Sequence, residues 1–128
     1  MRRAQTEGIL RIGISRYEDY KDRTINIAKG KRKHGLTEPT LWFESLQSLG
    51  QVLSEENWEL LGLIREKRPE SIAALSRISG RSSSHLSRTL YRLADYGIVD
   101  MERVKNRLVP KVRFKIIEIQ FGLPDSRH

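Results

Sequence analysis

The sequence predicts an α+β protein in which a three-helix segment and a β-hairpin follow a smaller strand–helix–strand–helix extension. Two observations lead to this class. Apolar residues recur at helical spacing in three consecutive stretches between residues 54 and 97, and Pro69 and Gly80 separate those stretches. Strand-like stretches lie on both sides of the helices, near residues 9–15 and 98–114.

The composition excludes several classes of site. The chain has 128 residues and no cysteine, so disulfides, thiolate zinc sites, iron–sulfur clusters and a cysteine nucleophile are ruled out. Its longest uncharged run has ten residues, from Ser45 to Ser54, about half of what a membrane span requires. We therefore expect a soluble, cytoplasmic protein without a membrane partner.

The charge distribution indicates surfaces that meet a polyanion. The formal net charge is +8. Residues 1–35 carry ten basic and four acidic side chains, and residues 81–115 carry nine and three. The stretch between them, 36–80, has four basic and seven acidic side chains. Two basic blocks around an acidic middle favour nucleic-acid binding, although charge alone fits a merely soluble basic protein equally well.

Residues 1–53 are predicted to form an extension that serves dimerisation or partner binding. Alternating residues predict strands at Ile9 to Ser15 and at Thr40 to Ser45. Ser15 and Glu18 form a capping box for a helix that reaches about Ala28, and a second helix follows residue 45. We assign residues 54–121 to a second domain and residues 122–128 to a tail.

The first two helices of the three-helix segment have clear start and stop signals. Ser54 is a good N-cap, and Pro69 follows the end of the first helix near residue 67. Ser71 caps the second helix and Gly80 ends it. The predicted inner faces are Trp58, Leu61 and Ile64 in the first helix, and Ile72, Leu75 and Ile78 in the second.

The third helix carries a basic stripe. It begins within Ser82 to Ser84 and ends near Tyr96, before Gly97, with Leu86, Leu90 and Leu93 predicted to face the core. Exposed helix faces usually mix acidic with basic residues, whereas this helix has a single acid, Asp95, in its last turn. The opposite face gathers Arg81, Ser84, His85, Arg88 and Arg92.

A hairpin follows this helix. Lys105-Asn106 is a turn signal between two strand-like runs, and a hairpin directly after such a helix is a wing. Three helices with a tight glycine turn, followed by a wing, predict a winged helix-turn-helix that binds double-stranded DNA. The predicted DNA-binding residues are Arg81, Ser82, Ser83, Ser84, His85, Arg88 and Arg92 on the helix, and Arg103, Lys105, Arg107 and Lys111 on the wing.

The last apolar stretch has two possible partners. Val112, Phe114 and Ile116 alternate, and then Ile117, Ile119 and Phe121 alternate on the other parity. This change of parity predicts a bulge or a break. The final strand either joins the N-terminal strands or pairs with a second subunit, and we expect a homodimer.

These residues resemble a known family. The stretches VLSEENWELLGLIRE (52–66), PESIAALSRISGRSSSHLSRTLYRLADYGIV (69–99) and VPKVRFKIIEI (109–119) are similar to MarR-like winged-helix transcriptional regulators, and more narrowly to TumA-type antitoxins. Ser76 and Ser79 differ from the Ala and Leu usual at their positions. The resemblance implies a DNA-binding autorepressor that acts in a toxin–antitoxin operon.

The alternatives come from other classes. The chain has three histidines, in separate segments, and lacks both HExxH and GxxxxGK[ST], so we expect neither an enzyme nor a cofactor or metal site. An interaction protein that neutralises a cognate toxin, with DNA binding secondary, remains compatible with the pattern. RNA binding gains from the basic N-terminal block but lacks aromatic stacking platforms.

Overall fold

The computed structural model describes residues 8–15 and 38–123. The described residues fall into two compact units, one containing the N-terminal strands and residues from 116 onward, and the other residues 52–115. The helix predicted from Ser15 to Ala28 lies outside the described residues, apart from its first position. No helix in the described ranges has the length and apolar content that crossing a bilayer requires.

The first unit is a three-stranded parallel sheet. Strand β1 (Ile9–Ile14) lies at its centre, between β2 (Leu41–Phe43) and β5 (Ile116–Phe121). A short helix, α1 (Leu46–Val52), follows β2, and the Ser45 hydroxyl accepts a hydrogen bond from the Ser48 amide at 3.0 Å. The side chains of Leu10, Ile12 and Ile14 on one face of β1 are buried, as parallel strands require.

Gly13 in β1 makes room for an aromatic ring. It is paired with Trp42 of β2, whose indole lies directly over the glycine. A Cβ atom at Gly13 would stand 2.5 Å from Cζ3 of Trp42, closer than atoms approach in practice. The absence of a side chain at this central-strand position is therefore a packing requirement rather than a turn signal.

The last strand belongs to the first unit. The predicted division placed residues 54–121 in one domain, but β5 pairs with β1 in parallel along its whole length, from Ile116 opposite Ile9 to Phe121 opposite Ile14. The break predicted from the change of parity is present, because residues 112–115 are not in a strand. Of the two partners considered, the N-terminal strand is the one observed.

In the second unit, helix α2 (Glu55–Lys67) starts at the predicted cap. The Ser54 hydroxyl accepts a hydrogen bond from the Asn57 amide, and Arg68 ends the helix with a left-handed φ of 49°. Leu60, Leu61 and Ile64 are buried. The assignment of Trp58 to the inner face is wrong, since its side chain is 62% exposed. Leu60 takes that place on the buried face.

Helix α3 (Ile72–Ser79) is capped by Ser71 and ends at Gly80, where φ is 76°. Leu75 is fully buried, but Ile78 is exposed, contrary to the prediction that it faces the core. Helix α3 has only eight residues, or about two turns. Ile78 is in its last turn, beyond the part of the helix that packs against the core.

Helix α4 (Ser83–Asp95) and a hairpin complete this unit. Strands β3 (Asp100–Val104) and β4 (Arg107–Lys111) are antiparallel and joined by Lys105 and Asn106. Both turn residues have positive φ, 50° and 67°, as in a two-residue type I′ turn. The predicted position of the hairpin is confirmed.

Candidate nucleic-acid interface

The turn between α3 and α4 is held by two serines. The Ser76 hydroxyl donates a hydrogen bond to the carbonyl of Arg81, and the Ser79 hydroxyl accepts one from the Arg81 amide at 3.2 Å. Both backbone groups of Arg81 are thereby satisfied although it lies outside either helix. The two positions that depart from the resembled family pattern thus build the turn that sets where α4 begins.

The N-terminus of α4 is capped by Ser82. Its hydroxyl accepts a hydrogen bond from the His85 amide at 3.2 Å, which satisfies one of the four free amides of the first turn. Ser82 therefore has a structural role in addition to the predicted contact role. Ser83 and Ser84 are exposed and lie where the positive end of the helix dipole favours anions.

The orientation of α4 agrees with the predicted wheel. Leu86, Leu90 and Leu93 are at most 1% exposed, which fixes the opposite face toward solvent. The polar face spans about 12 Å from Ser84 to Arg92, its first and last stripe residues within the helix, given a rise of roughly 1.5 Å per residue. All four predicted stripe residues within the helix are exposed: Ser84, His85, Arg88 and Arg92.

Arg81 differs from these residues. It is half-buried, and its guanidinium nitrogen Nη2 donates to the carbonyl of Glu56, in the first turn of α2, at 3.3 Å. This contact ties the start of α4 to the start of α2. Sequence reasoning placed Arg81 on the stripe because of its spacing, but the residue precedes the helix and so does not follow helical geometry.

The cations of the hairpin divide between two faces. Directly paired residues of an antiparallel ladder share a face. Arg103 is paired with Leu108, whereas Val104 is paired with Arg107 and Asp100 with Lys111. Arg103 therefore points to the side opposite Arg107 and Lys111, and Lys105 lies at the exposed tip.

Acidic side chains lie on the hairpin face that carries Lys111. These ion pairs were not predicted from the sequence. Lys111 Nζ lies 3.2 Å from a carboxylate oxygen of Glu102. Arg113 contacts Asp100 at 2.8 Å and Glu102 at 3.2 Å. The hydrogen bond to Asp100 raises the pKa of the Arg113 guanidinium above its ordinary value. Among the described residues, Lys111 thus has a closer carboxylate partner than Arg107, whose contact with Glu70 is 3.5 Å long.

Arg107 reaches in a different direction. Its Nη1 lies 3.5 Å from Oε1 of Glu70, a residue between α2 and α3. Both side chains are largely exposed, so this ion pair contributes little to stability and opens readily. Arg103, Lys105 and Arg107 are all exposed, and of these three wing cations only Arg107 forms an ion pair among the described residues.

The described residues hold no group of three or more His, Asp or Glu side chains that would suit a metal ion. His85 stands on the exposed polar face of α4, next to serine and arginine side chains.

Comparisons with known proteins give two matches. The family model HVO_A0114 matches residues 52–119, which include α2, α3, α4, the hairpin and part of β5. A crystal structure described as a predicted DNA-binding transcriptional regulator from E. coli shares 26% identity with this chain. The match covers 52% of this chain and 72% of that one, with a TM-score of 0.46. Curated protein sequences gave no match. The family model matches more than half of the length of this chain, and the chain is therefore a member of the HVO_A0114 family.

Proposed function

We propose that this protein is a sequence-specific DNA-binding transcriptional regulator of the winged helix-turn-helix type, which represses its own operon and catalyses no reaction. The observation that carries the proposal is the exposed face of α4, where Ser84, His85, Arg88 and Arg92 lie opposite three buried leucines. Arginine and serine on such a face match the acceptors of the major groove and the phosphates beside it.

In this proposal the helix, the wing and Arg81 have different tasks. Helix α4 enters the major groove, and Arg88 in its middle donates two hydrogen bonds to one guanine. The turn residue Lys105 and its neighbour Arg107 contact phosphates beside the adjacent minor groove. Arg81, tied to Glu56, positions the helix rather than reading bases.

The proposed regulator is a homodimer, because operators with two half-sites match a two-fold protein. In the part of the chain that the structure describes, strand β5 is an edge of the parallel sheet, and Ile119 and Phe121 on it are about half exposed. An edge strand with apolar side chains is a template for pairing with a second copy. Light scattering should give roughly twice the 14.9 kDa of one chain; a monomer at high micromolar concentration contradicts this part.

The DNA-binding proposal is tested with fluorescence anisotropy on labelled duplexes. One duplex carries the DNA upstream of the gene for this chain, and a second carries the same bases in scrambled order. We expect the upstream duplex to bind at least 10³-fold more tightly at physiological salt, which is the usual ratio for specific regulators. Equal affinity for the two duplexes would refute sequence-specific recognition of this DNA.

A second candidate function is neutralisation of a toxin, which the resemblance to TumA-type antitoxins implies. The edge of β5 supports it, since among the described residues this edge offers a protein partner backbone and apolar contacts, as an alternative to pairing with a second copy. Co-expression with the product of the adjacent gene, followed by affinity capture, tests it. If no neighbour-encoded protein co-purifies, the regulator function stands alone.

A further inference from the structure

A cleft of about 770 Å³ lies between the C-terminal end of α2 and one face of the hairpin. Its volume falls within the range of small-molecule sites, roughly 300–1,000 Å³. It belongs entirely to the unit of residues 52–115. Its apolar lining is formed by Ile64, Pro69, Val104, Val109 and Val112.

Cations dominate the remaining lining of the cleft. They come from the end of α2, from the hairpin and from the segment after β4, and the lining carries one carboxylate, that of Glu70. The six cationic residues are Arg65, Arg68, Lys105, Arg107, Lys111 and Arg113. An excess of positive charge around an apolar lining selects for a ligand that has both an anionic and an apolar part.

Four of these cations already have partners within the chain. Lys111 and Arg113 contact Glu102, Arg107 contacts Glu70, and Arg65 donates to the carbonyl of Phe114 at 3.4 Å. Arg68 and Lys105 take part in none of the ion pairs formed among the described residues. They are the cations most ready to bind an anion.

The Arg107–Glu70 ion pair connects the hairpin with the segment between α2 and α3. The Glu70 carboxylate occupies the place of an anion beside Arg107, and its side chain is 84% exposed. A ligand anion competes with Glu70 for this cation. Removing the carboxylate should therefore strengthen anion binding, whereas most substitutions in a binding site weaken it.

We propose that this cleft is a binding site for a small amphipathic oxyanion, with an apolar group on the valine-rich lining and a phosphate or carboxylate held by the cationic rim. DNA is the less suitable occupant because a duplex backbone offers phosphates and sugars but nothing that fills the apolar lining. The site does not depend on the function of α4 and holds whether or not the protein binds DNA.

The test is a titration of the full chain in the absence of DNA. Two-dimensional amide NMR spectra are recorded at each concentration of the probe. The probe is 1-naphthyl phosphate, which combines an aromatic body with an oxyanion; inorganic phosphate and 1-naphthalenemethanol are the control probes. We expect saturable shifts confined to residues 64–70 and 104–113 with naphthyl phosphate, and at least tenfold weaker binding of each control. Equal binding of inorganic phosphate would overturn the amphipathic site.

Three variants sharpen the test. Arg68→Gln combined with Lys105→Gln should weaken binding of the probe by about tenfold or more. A tenfold loss corresponds to about 1.4 kcal/mol, and the double change removes two cations of the rim. Glu70→Gln should tighten it. Lys115→Gln is the matched control, since Lys115 is exposed and outside the lining, and should leave binding unchanged.

Two results would overturn the proposal. The first is no saturable shift of the cleft amides with naphthyl phosphate up to millimolar concentration in the folded protein. The second comes from a separate titration with duplex DNA: if DNA shifts the cleft amides and naphthyl phosphate does not, the cleft belongs to the DNA interface. Correct folding of every variant is checked by the dispersion of the same amide spectrum.

Discussion

The hydroxyl of Ser76 donates a hydrogen bond to the carbonyl of Arg81, five residues further along and on the far side of the Gly80 turn. The amide of the same arginine donates to Ser79. These two contacts fix the backbone of the turn that joins α3 to α4. The direction of the exposed stripe on α4 therefore depends on hydroxyl groups in α3.

Replacing Ser76 should loosen this turn. In Ser76→Ala the Arg81 carbonyl loses its partner, and we expect the free energy of unfolding to fall by about 1–3 kcal/mol, the cost of a half-buried unsatisfied carbonyl. Urea denaturation measures this value. Ser83→Ala, at an exposed serine in the first turn of α4, is the matched control and should change stability by less than about 0.5 kcal/mol. If both variants lost the same free energy of unfolding, the Ser76 hydrogen bond would not be what stabilises the turn.

Gly13 should not tolerate even alanine. The added methyl group would meet the Trp42 ring at 2.5 Å, so the indole or the strand must shift. We expect Gly13→Ala to lower the free energy of unfolding by about 1–3 kcal/mol, as overpacked cores do. Gly50→Ala is the control, because nothing lies within 4 Å of that position and alanine favours the helix. A Gly13→Ala protein as stable as the parent would contradict the packing described for β1 and β2.

Two of the three apolar residues predicted for the inner face of α2 should respond differently to substitution. Leu61 is 4% exposed, so Leu61→Ala should cost about 2–5 kcal/mol of stability. Trp58 is 62% exposed, and Trp58→Gln should change stability by less than about 1 kcal/mol in spite of the larger side chain. Thermal unfolding compares the two variants. A larger loss for Trp58→Gln would restore the original assignment of Trp58 to the core.

The sequence alone predicted the elements that depend on local signals. Ser54, Ser71 and Gly80 stop or start helices through their own backbone and side-chain chemistry, and each was located correctly. The buried leucines of α4 followed from helical periodicity over three full turns. Contacts between distant residues did not follow. The pairing of β5 with β1 joins positions about 107 apart, and neither strand's own sequence specifies its neighbour.

The site was predicted in the same uneven way. The exposed arginines of α4 follow from helical spacing, which holds once the helix exists. The partners of the wing cations do not, because Glu70 meets Arg107 only after the chain has folded. Arg81 was misplaced for a related reason: its contact with Glu56 joins the starts of two helices.

The wing should supply affinity without sequence preference. Neutralising Lys105 and Arg107 together, as Lys105→Gln and Arg107→Gln, should weaken binding to upstream and scrambled duplexes alike. The slope of log affinity against log salt should flatten by roughly two units, one for each lost phosphate contact. Lys111→Gln is the comparison. Because Glu102 already compensates its charge, we expect the slope to change by clearly less than the roughly one unit that a single lost phosphate contact gives. A double variant with an unchanged slope would remove the wing from the interface.

Arg88 tests the central claim most directly. Its side chain is exposed in the middle of α4, and a two-bond contact with guanine contributes about 1–3 kcal/mol of base discrimination. The measurement is a salt titration of the affinities for upstream and scrambled duplexes with Arg88→Ala, with Lys115→Ala as the charge-matched control and circular dichroism as the folding check. We predict that Arg88→Ala lowers affinity for the upstream duplex by about five- to 150-fold and leaves affinity for scrambled DNA nearly unchanged. A folded Arg88→Ala protein that keeps full discrimination between the two duplexes would show that α4 does not read the sequence.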